Sequence, residues 1–137
     1  MSDAIYLDHN ATTGPRPEVV DAMLPFLRTH WGNPSSAHGR GRAAKEGVER
    51  ARAQVAALLG CAPGEVLFTS GGTEATNLAL RGVAEALPSR RAFVTSVIEH
   101  PATLAPLRWL EAQGRRVTRV GVTADGAVMV EIGRAHV

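Results

Sequence analysis

The chain is poor in reactive and aromatic side chains. Among 137 residues there is one cysteine, Cys61, and one lysine, Lys45, and aromatic residues make up 4%. One cysteine excludes a disulfide framework and a thiolate zinc site built within the chain. Cys61 lies in LLGCAPGE, between the expected end of a helix and a Pro-Gly turn, with no histidine beside it in sequence. It reads as a small, buried or half-buried apolar residue and not as a nucleophile. No apolar run approaches a membrane span, and MSDAIYLDHN at the start carries two acids and no stretch of signal-peptide length. The expected location is therefore cytoplasmic, with no membrane partner. The formal charge is only +2. Arginines are spread among glutamates without a basic cluster or interleaved aromatics, which argues against a nucleic-acid partner. His9, His30, His38 and His136 lack the short paired spacing of metal-binding helices, so no metal site is expected.

What remains is a hydrophobic fraction of 45%, enough for the core of one domain built from Ala, Val and Leu. Gly and Pro punctuate a series of alternating elements. Ile5 to Leu7 is a short extended piece. The segment PRPEVVDAMLPFLRTH has Val19, Val20, Met23, Leu24 and Leu27 at helical spacing, with Pro25 expected to kink or interrupt it. WGNPSSAHG is a loop by composition. From Arg40 to Leu59, Ala44, Val48, Ala51, Val55 and Leu58 or Leu59 keep a helical period, with charges opposite and Gly60 at the C-terminal cap position. Then come a strand at 65–69, a helix at 73–87 closed by Pro88, a strand at Ala92 to Val97, a helix at 101–113 closed by Gly114, and a strand from Arg116 to Val122. This alternation of helices with apolar rather than alternating strands predicts an α/β fold with a largely parallel, doubly wound sheet.

In such sheets ligands collect where strands feed into helices. Two consecutive junctions of that kind stand out. In FTSGGTEATN, at residues 68–77, Gly71 and Gly72 permit close backbone approach and Thr73 offers a hydroxyl at the positive end of a helix, which describes a phosphate seat. A tight turn with Thr73 as helix cap fits the same residues. In TSVIEHPATL, at 95–104, Pro101 suits the first turn of a helix and His100 stands at the mouth of the sheet. That histidine could stack on a flat ring, carry protons near neutral pH, or cap the helix.

Taken together with YLDHNATT at 6–13, GNPSSAHGRGRAA at 32–44 and TADGAV at 123–128, these two junctions resemble the amino-terminal part of cysteine desulfurases, pyridoxal 5'-phosphate enzymes of the class V aminotransferase group with the aspartate-aminotransferase-like fold. The resemblance covers residues 4–130. It implies that Gly72 and Thr73 hold the cofactor phosphate, with Gly71 supporting the turn, and that His100 stacks on the pyridine ring and takes part in proton transfer. Ala11 and Thr12 would lie beside the substrate. The implied reaction takes sulfur from L-cysteine, leaving L-alanine and an enzyme persulfide for a sulfur acceptor or scaffold protein, in a homodimer. A selenocysteine lyase or a catalytically dead phosphate-binding fragment would share the same motifs.

The same resemblance calls for a Schiff-base lysine, an acid for the ring nitrogen and a persulfide cysteine, and none is recognisable here. Lys45 falls on the charged face of the most regular helix. The expected organisation is therefore an amino-terminal segment of the small domain at 1–15, a partial cofactor-binding large domain at 16–130, and a non-native tail at 131–137. Alone, such a chain is expected to be inactive.

Overall fold

The computed structural model describes residues 5–129, and the chain divides into two compact units, Met1–Leu67 and Phe68–Val137. The expected tail at 131–137 lies outside the described residues. In the first unit, helix α1 spans Pro17–Arg28, with Pro17 in its first turn, Glu18 at its positive end and Arg28 at its negative end. Pro25 does not interrupt it. Proline lacks one N–H, but Pro25 sits in the last turn, and its carbonyl seals that end by accepting the amides of Thr29 and His30 at 2.9 and 2.8 Å.

Helix α2, Gly39–Leu59, follows the predicted face at Ala44, which is buried, and at Val48, Ala51 and Val55, which are half-buried; Ala56, outside the predicted set, is buried as well. Leu58 and Leu59 depart from that face, at 84% and 68% exposure, although Ala56 in the same final turn is buried. Lys45 is exposed, as its place among charged residues predicts. The helix is fixed at both ends. His38 Nδ1 accepts the Gly41 amide at 3.3 Å, and Gly60 adopts the left-handed conformation at φ 69°, while the Cys61 amide donates to Ala56 O at 3.0 Å. Close approaches bring other segments of this unit onto α2: a Cβ at Gly41 would lie 2.2 Å from Ser36 O, and one at Gly47 would lie 2.3 Å from Phe26 Cε1. Gly60→Ala is expected to lower the unfolding free energy by about 1–2 kcal/mol, because a Cβ in the left-handed region meets its own carbonyl. A urea midpoint unchanged by that substitution would contradict this account of the helix end.

A 3-10 turn at Pro63–Glu65 follows. Residues 66–69 form no strand, contrary to expectation. Val66 is extended, at φ −94° and ψ 122°, but extended backbone becomes a strand only where a ladder forms. The carbonyl of Val66 instead accepts a hydrogen bond from the Arg52 guanidinium.

The second unit is organised around a parallel strand pair. Helix α3 spans Gly72–Ala86, strand β1 Ala92–Ser96, helix α4 Pro101–Ala112 and strand β2 Arg116–Val120. β1 and β2 pair from Ala92↔Arg116 to Ser96↔Val120. The register sets Phe93 opposite Val117, and both pack against buried Ala84 of α3 and Leu107 and Leu110 of α4. β2 ends two residues earlier than predicted. Beyond it Val122 bridges Val128 in antiparallel fashion across the TADGAV turn, and Gly126 there takes φ +85°. On the strand face opposite Phe93, Val94 remains 52% exposed, whereas Ser96 and Val120 further along that face are buried.

Arg115 fastens this unit. Its guanidinium donates to Ala84 O at 2.9 Å, Pro88 O at 3.1 Å and Arg90 O at 3.3 Å, supplying partners at the C-terminal end of α3. Arg119 makes a paired contact with Glu111 at 2.7 and 2.6 Å, and this hydrogen bonding holds the Glu111 carboxyl below its ordinary range. Among the described residues no helix is long and apolar enough to cross a membrane.

Candidate functional site

The two sequence junctions meet in the second unit. A hollow of about 360 Å³ is lined by Gly72, Thr73 and Thr76 of α3 and by His100, Ala102 and Thr103 at the start of α4. Two helix N-termini thus face one space, each with the positive end of its dipole, and the α3 end adds unpaired amides.

At the α3 side the chain leaves its donors open. The first helical bond runs from the Ala75 amide to Gly71 O at 3.1 Å, and no side chain caps the helix. The amides of Gly71, Gly72, Thr73 and Glu74 take no acceptor from the described residues. Thr73 therefore does not serve as the cap, the simpler of its two sequence readings. A Cβ at Gly71 or Gly72 would meet nothing within 4 Å, and Gly71 is extended at φ 167°. Neither glycine is demanded by the chain's own packing or by a left-handed backbone, and both keep a surface on which a ligand can lie against the main chain.

Upstream, the loop is tied to itself. Thr69 Oγ1 donates to Gly71 O at 3.1 Å. The amide and hydroxyl of Ser70 both donate to Glu74 Oε2, each at 2.6 Å. The Ser70 hydroxyl, followed by its amide, holds the Glu74 carboxyl below the usual range. Within α3, Asn77 Nδ2 donates to Thr73 O at 2.9 Å.

At the α4 side His100 is the N-cap. Its Nδ1 accepts the Ala102 amide at 3.1 Å, and its carbonyl accepts from Thr103 and Leu104 at 2.8 and 3.2 Å. The ring is exposed yet fixed in direction, and with Nδ1 used as an acceptor, Nε2 carries the proton of the neutral ring and is free to exchange it. Just before it, the buried Ser96 hydroxyl donates to Glu99 Oε1 at 2.9 Å, tying the end of β1 to the turn that presents His100.

Of the residues singled out by sequence, Gly72, Thr73 and His100 line the hollow, and Gly71 precedes it. Ala11 and Thr12 belong to the other unit, where their amides donate to Asp8 O at 3.1 and 3.3 Å in a turn also held by the Tyr6 hydroxyl on Thr12 O. Thr76 and Thr103 went unrecognised in the sequence. Each stands three residues beyond a singled-out position, Thr73 and His100, one turn along the same helix face, and that spacing is the signal that would have found them. A larger hollow of about 560 Å³ runs along α1 beside Val19, Met23, Phe26 and Leu27. Its lining is mostly apolar, and the two charged residues on it, Arg16 and Glu18, pair with each other at 3.5 Å.

Residues 5–137 match the family model described as aminotransferase class-V. The chain is 50% identical over 135 residues to a cysteine desulfurase of Cereibacter sphaeroides, covering 97% of this chain and 35% of that protein. It is 49% identical over 125 residues to one of Enterobacter agglomerans, covering 90% and 31%. Among solved structures, a NifS-like protein superposes with a TM-score of 0.88 at 40% identity, over 97% of this chain and 37% of that one. SspA, solved in complex with cysteine, gives 0.85 at 32% identity, over 96% and 38%. The chain thus spans about a third of the length of the curated relatives it matches, and these likenesses confirm the α/β fold of that enzyme group. On this footing the chain belongs to the class-V aminotransferase family.

Proposed function

We propose that this chain is the amino-terminal part of a pyridoxal 5'-phosphate-dependent cysteine desulfurase, which takes sulfur from L-cysteine and leaves L-alanine and an enzyme persulfide. The observation that carries the reading is the hollow where two helix N-termini meet, with Gly72 and Thr73 on one side and His100 on the other. Its chemistry fits the cofactor. Open amides, a hydroxyl and two dipole ends suit a phosphate dianion, and an imidazole fixed by its cap suits the face of a ring. In this reading the Gly72 and Thr73 amides and the Thr73 hydroxyl hold the phosphate, Gly71 keeps the approach clear, and Thr76 and Thr103 line the wall. His100 orients the ring and moves a proton at Nε2. When bound, the cofactor supplies an electron sink for the substrate carbon skeleton.

Several components of the reaction lie elsewhere in the protein. Lys45, the sole lysine, is exposed on α2, and Cys61 is half-buried after that helix. We assign the Schiff-base lysine, the acid for the ring nitrogen and the persulfide cysteine to the part of the enzyme outside this chain. Residues 1–15 are assigned to the small domain, with Ala11 and Thr12 as backbone contacts to the substrate, and 16–130 to part of the cofactor-binding domain. A homodimer that delivers sulfur to an acceptor protein in the cytoplasm completes the reading.

The test is turnover by the purified full-length protein. With L-cysteine and a thiol reductant it is expected to release alanine and sulfide in equal amounts, dependent on pyridoxal phosphate, whereas residues 1–137 alone release neither. Full-length protein that binds pyridoxal phosphate but yields no alanine from cysteine would refute the assignment.

A further inference from the structure

Glu74 presents an electrostatic problem that the reading above does not solve. Glu74 does not line the hollow, but a carboxylate in the first turn of α3 is near enough to compete for the same amides and to repel the same charge. In the usual reciprocal cap, a glutamate at the third helical position reaches back to the amide of the N-cap residue, here Gly71. Glu74 does not do so. It passes Gly71 and accepts both donors of Ser70 on a single oxygen, at 2.6 Å each, and the amides of Gly71, Gly72 and Thr73 stay without acceptors.

We propose that Glu74 is the positioning residue of the anion seat: by engaging Ser70 it draws its own charge off the α3 terminus and sets the loop so that the amides of Gly71 to Thr73 face a phosphate. Glu74 touches no reacting atom; it acts through Ser70. The second tie, from Thr69 Oγ1 to Gly71 O at 3.1 Å, leaves the loop anchored on both sides of Ser70. Asn77 on Thr73 O at 2.9 Å occupies a further carbonyl, while the amides of Gly71, Gly72 and Thr73 take no acceptor from the described residues. This inference rests on the hollow being the phosphate seat, and it makes a separate demand: the effect of Glu74 must appear in the phosphate-dependent part of binding alone.

The experiment compares pyridoxal 5'-phosphate with pyridoxal, which lacks the phosphate, as ligands of the full-length protein, using absorbance or fluorescence titration. Wild type is expected to prefer the phosphorylated form. Glu74→Ala should reduce that preference by about tenfold, the value of one charge-assisted hydrogen-bond arrangement, with pyridoxal binding unchanged. Glu74→Gln, which keeps one acceptor for Ser70, should fall between the two, and Ser70→Ala, which removes the hydroxyl and keeps the amide, should show a smaller loss. Ser70 and Glu74 are both exposed, so all three variants are expected to fold, and Ser70→Ala supplies a second, independent binding ratio. Equal weakening of both ligands, or an unchanged ratio in all three variants, would overturn the proposal for Glu74. A wild type with no preference for the phosphate would instead overturn the reading of the hollow itself.

Discussion

Replacing His100 with Asn is expected to leave the protein folded and nearly inactive. Asn is as good an N-cap as any residue, so its side-chain oxygen can take over the Ala102 amide that His100 Nδ1 accepts at 3.1 Å. It has neither a ring to lie on a flat cofactor nor a proton to exchange near neutral pH. Loss of a positioned acid-base group costs a rate factor of about 10²–10⁴, and kcat for alanine formation should fall into that range with the melting temperature little changed. His100→Ala should combine the same rate loss with about 1 kcal/mol of destabilisation from the missing cap. The pair of variants separates the cap from the ring-stacking and proton-carrying roles that the sequence left open. If His100→Asn turns over cysteine at the wild-type rate, the residue is a cap and nothing more.

Leu107→Ala is expected to produce the largest loss of stability in the second unit. Leu107 is 1% exposed and belongs to the cluster of Ala84 and Leu110, with Leu80, Phe93 and Val117 packed around it. Truncation removes buried apolar surface and leaves a cavity, at a cost of about 2–5 kcal/mol, a large share of the roughly 5–15 kcal/mol that holds a typical domain together. Leu107→Met keeps the volume and should cost less than about 1.5 kcal/mol. Urea unfolding of both variants checks this, and an Ala variant as stable as the Met variant would show that the site collapses without penalty. The same cluster joins α3 to α4, the two helices whose first turns form the hollow, so the Ala variant should also weaken binding of pyridoxal phosphate.

Much of this arrangement is legible in local chemistry. Gly60 and Gly114 mark helix ends because both backbones are left-handed, at φ 69° and φ 80°, and few other residues tolerate that conformation. Ala44 lies on the apolar stripe of α2 because a period of 3.6 permits only one packed face. Gly72, Thr73 and His100 were found for a related reason, since each belongs to a strand-to-helix or loop-to-helix junction with its own composition. What escaped is non-local. Whether Val66 to Thr69 pair as a strand depends on a partner, which no local pattern specifies. Leu58 and Leu59 carry the right residue type in the right phase and are exposed all the same, because periodicity marks a face without saying which of its positions are covered. The tie between Glu74 and Ser70 was hidden for a different reason: the capping pattern points to Gly71, and the extended backbone there redirects the bond by one residue.

The Arg115 clasp adds a dimension of time. The guanidinium that completes the far end of α3 comes from 31 residues downstream of the Ala84 carbonyl it serves. During synthesis at a ribosome, α3 can coil as soon as it emerges, but its last turn lacks this partner until β1, α4 and the first residue beyond α4's closing turn have followed. The helix that offers its amides to an anion at one end is thus locked at the other only when the strand pair is ready to form. The order of emergence places the α4 turn that carries His100 ahead of the arginine that completes α3.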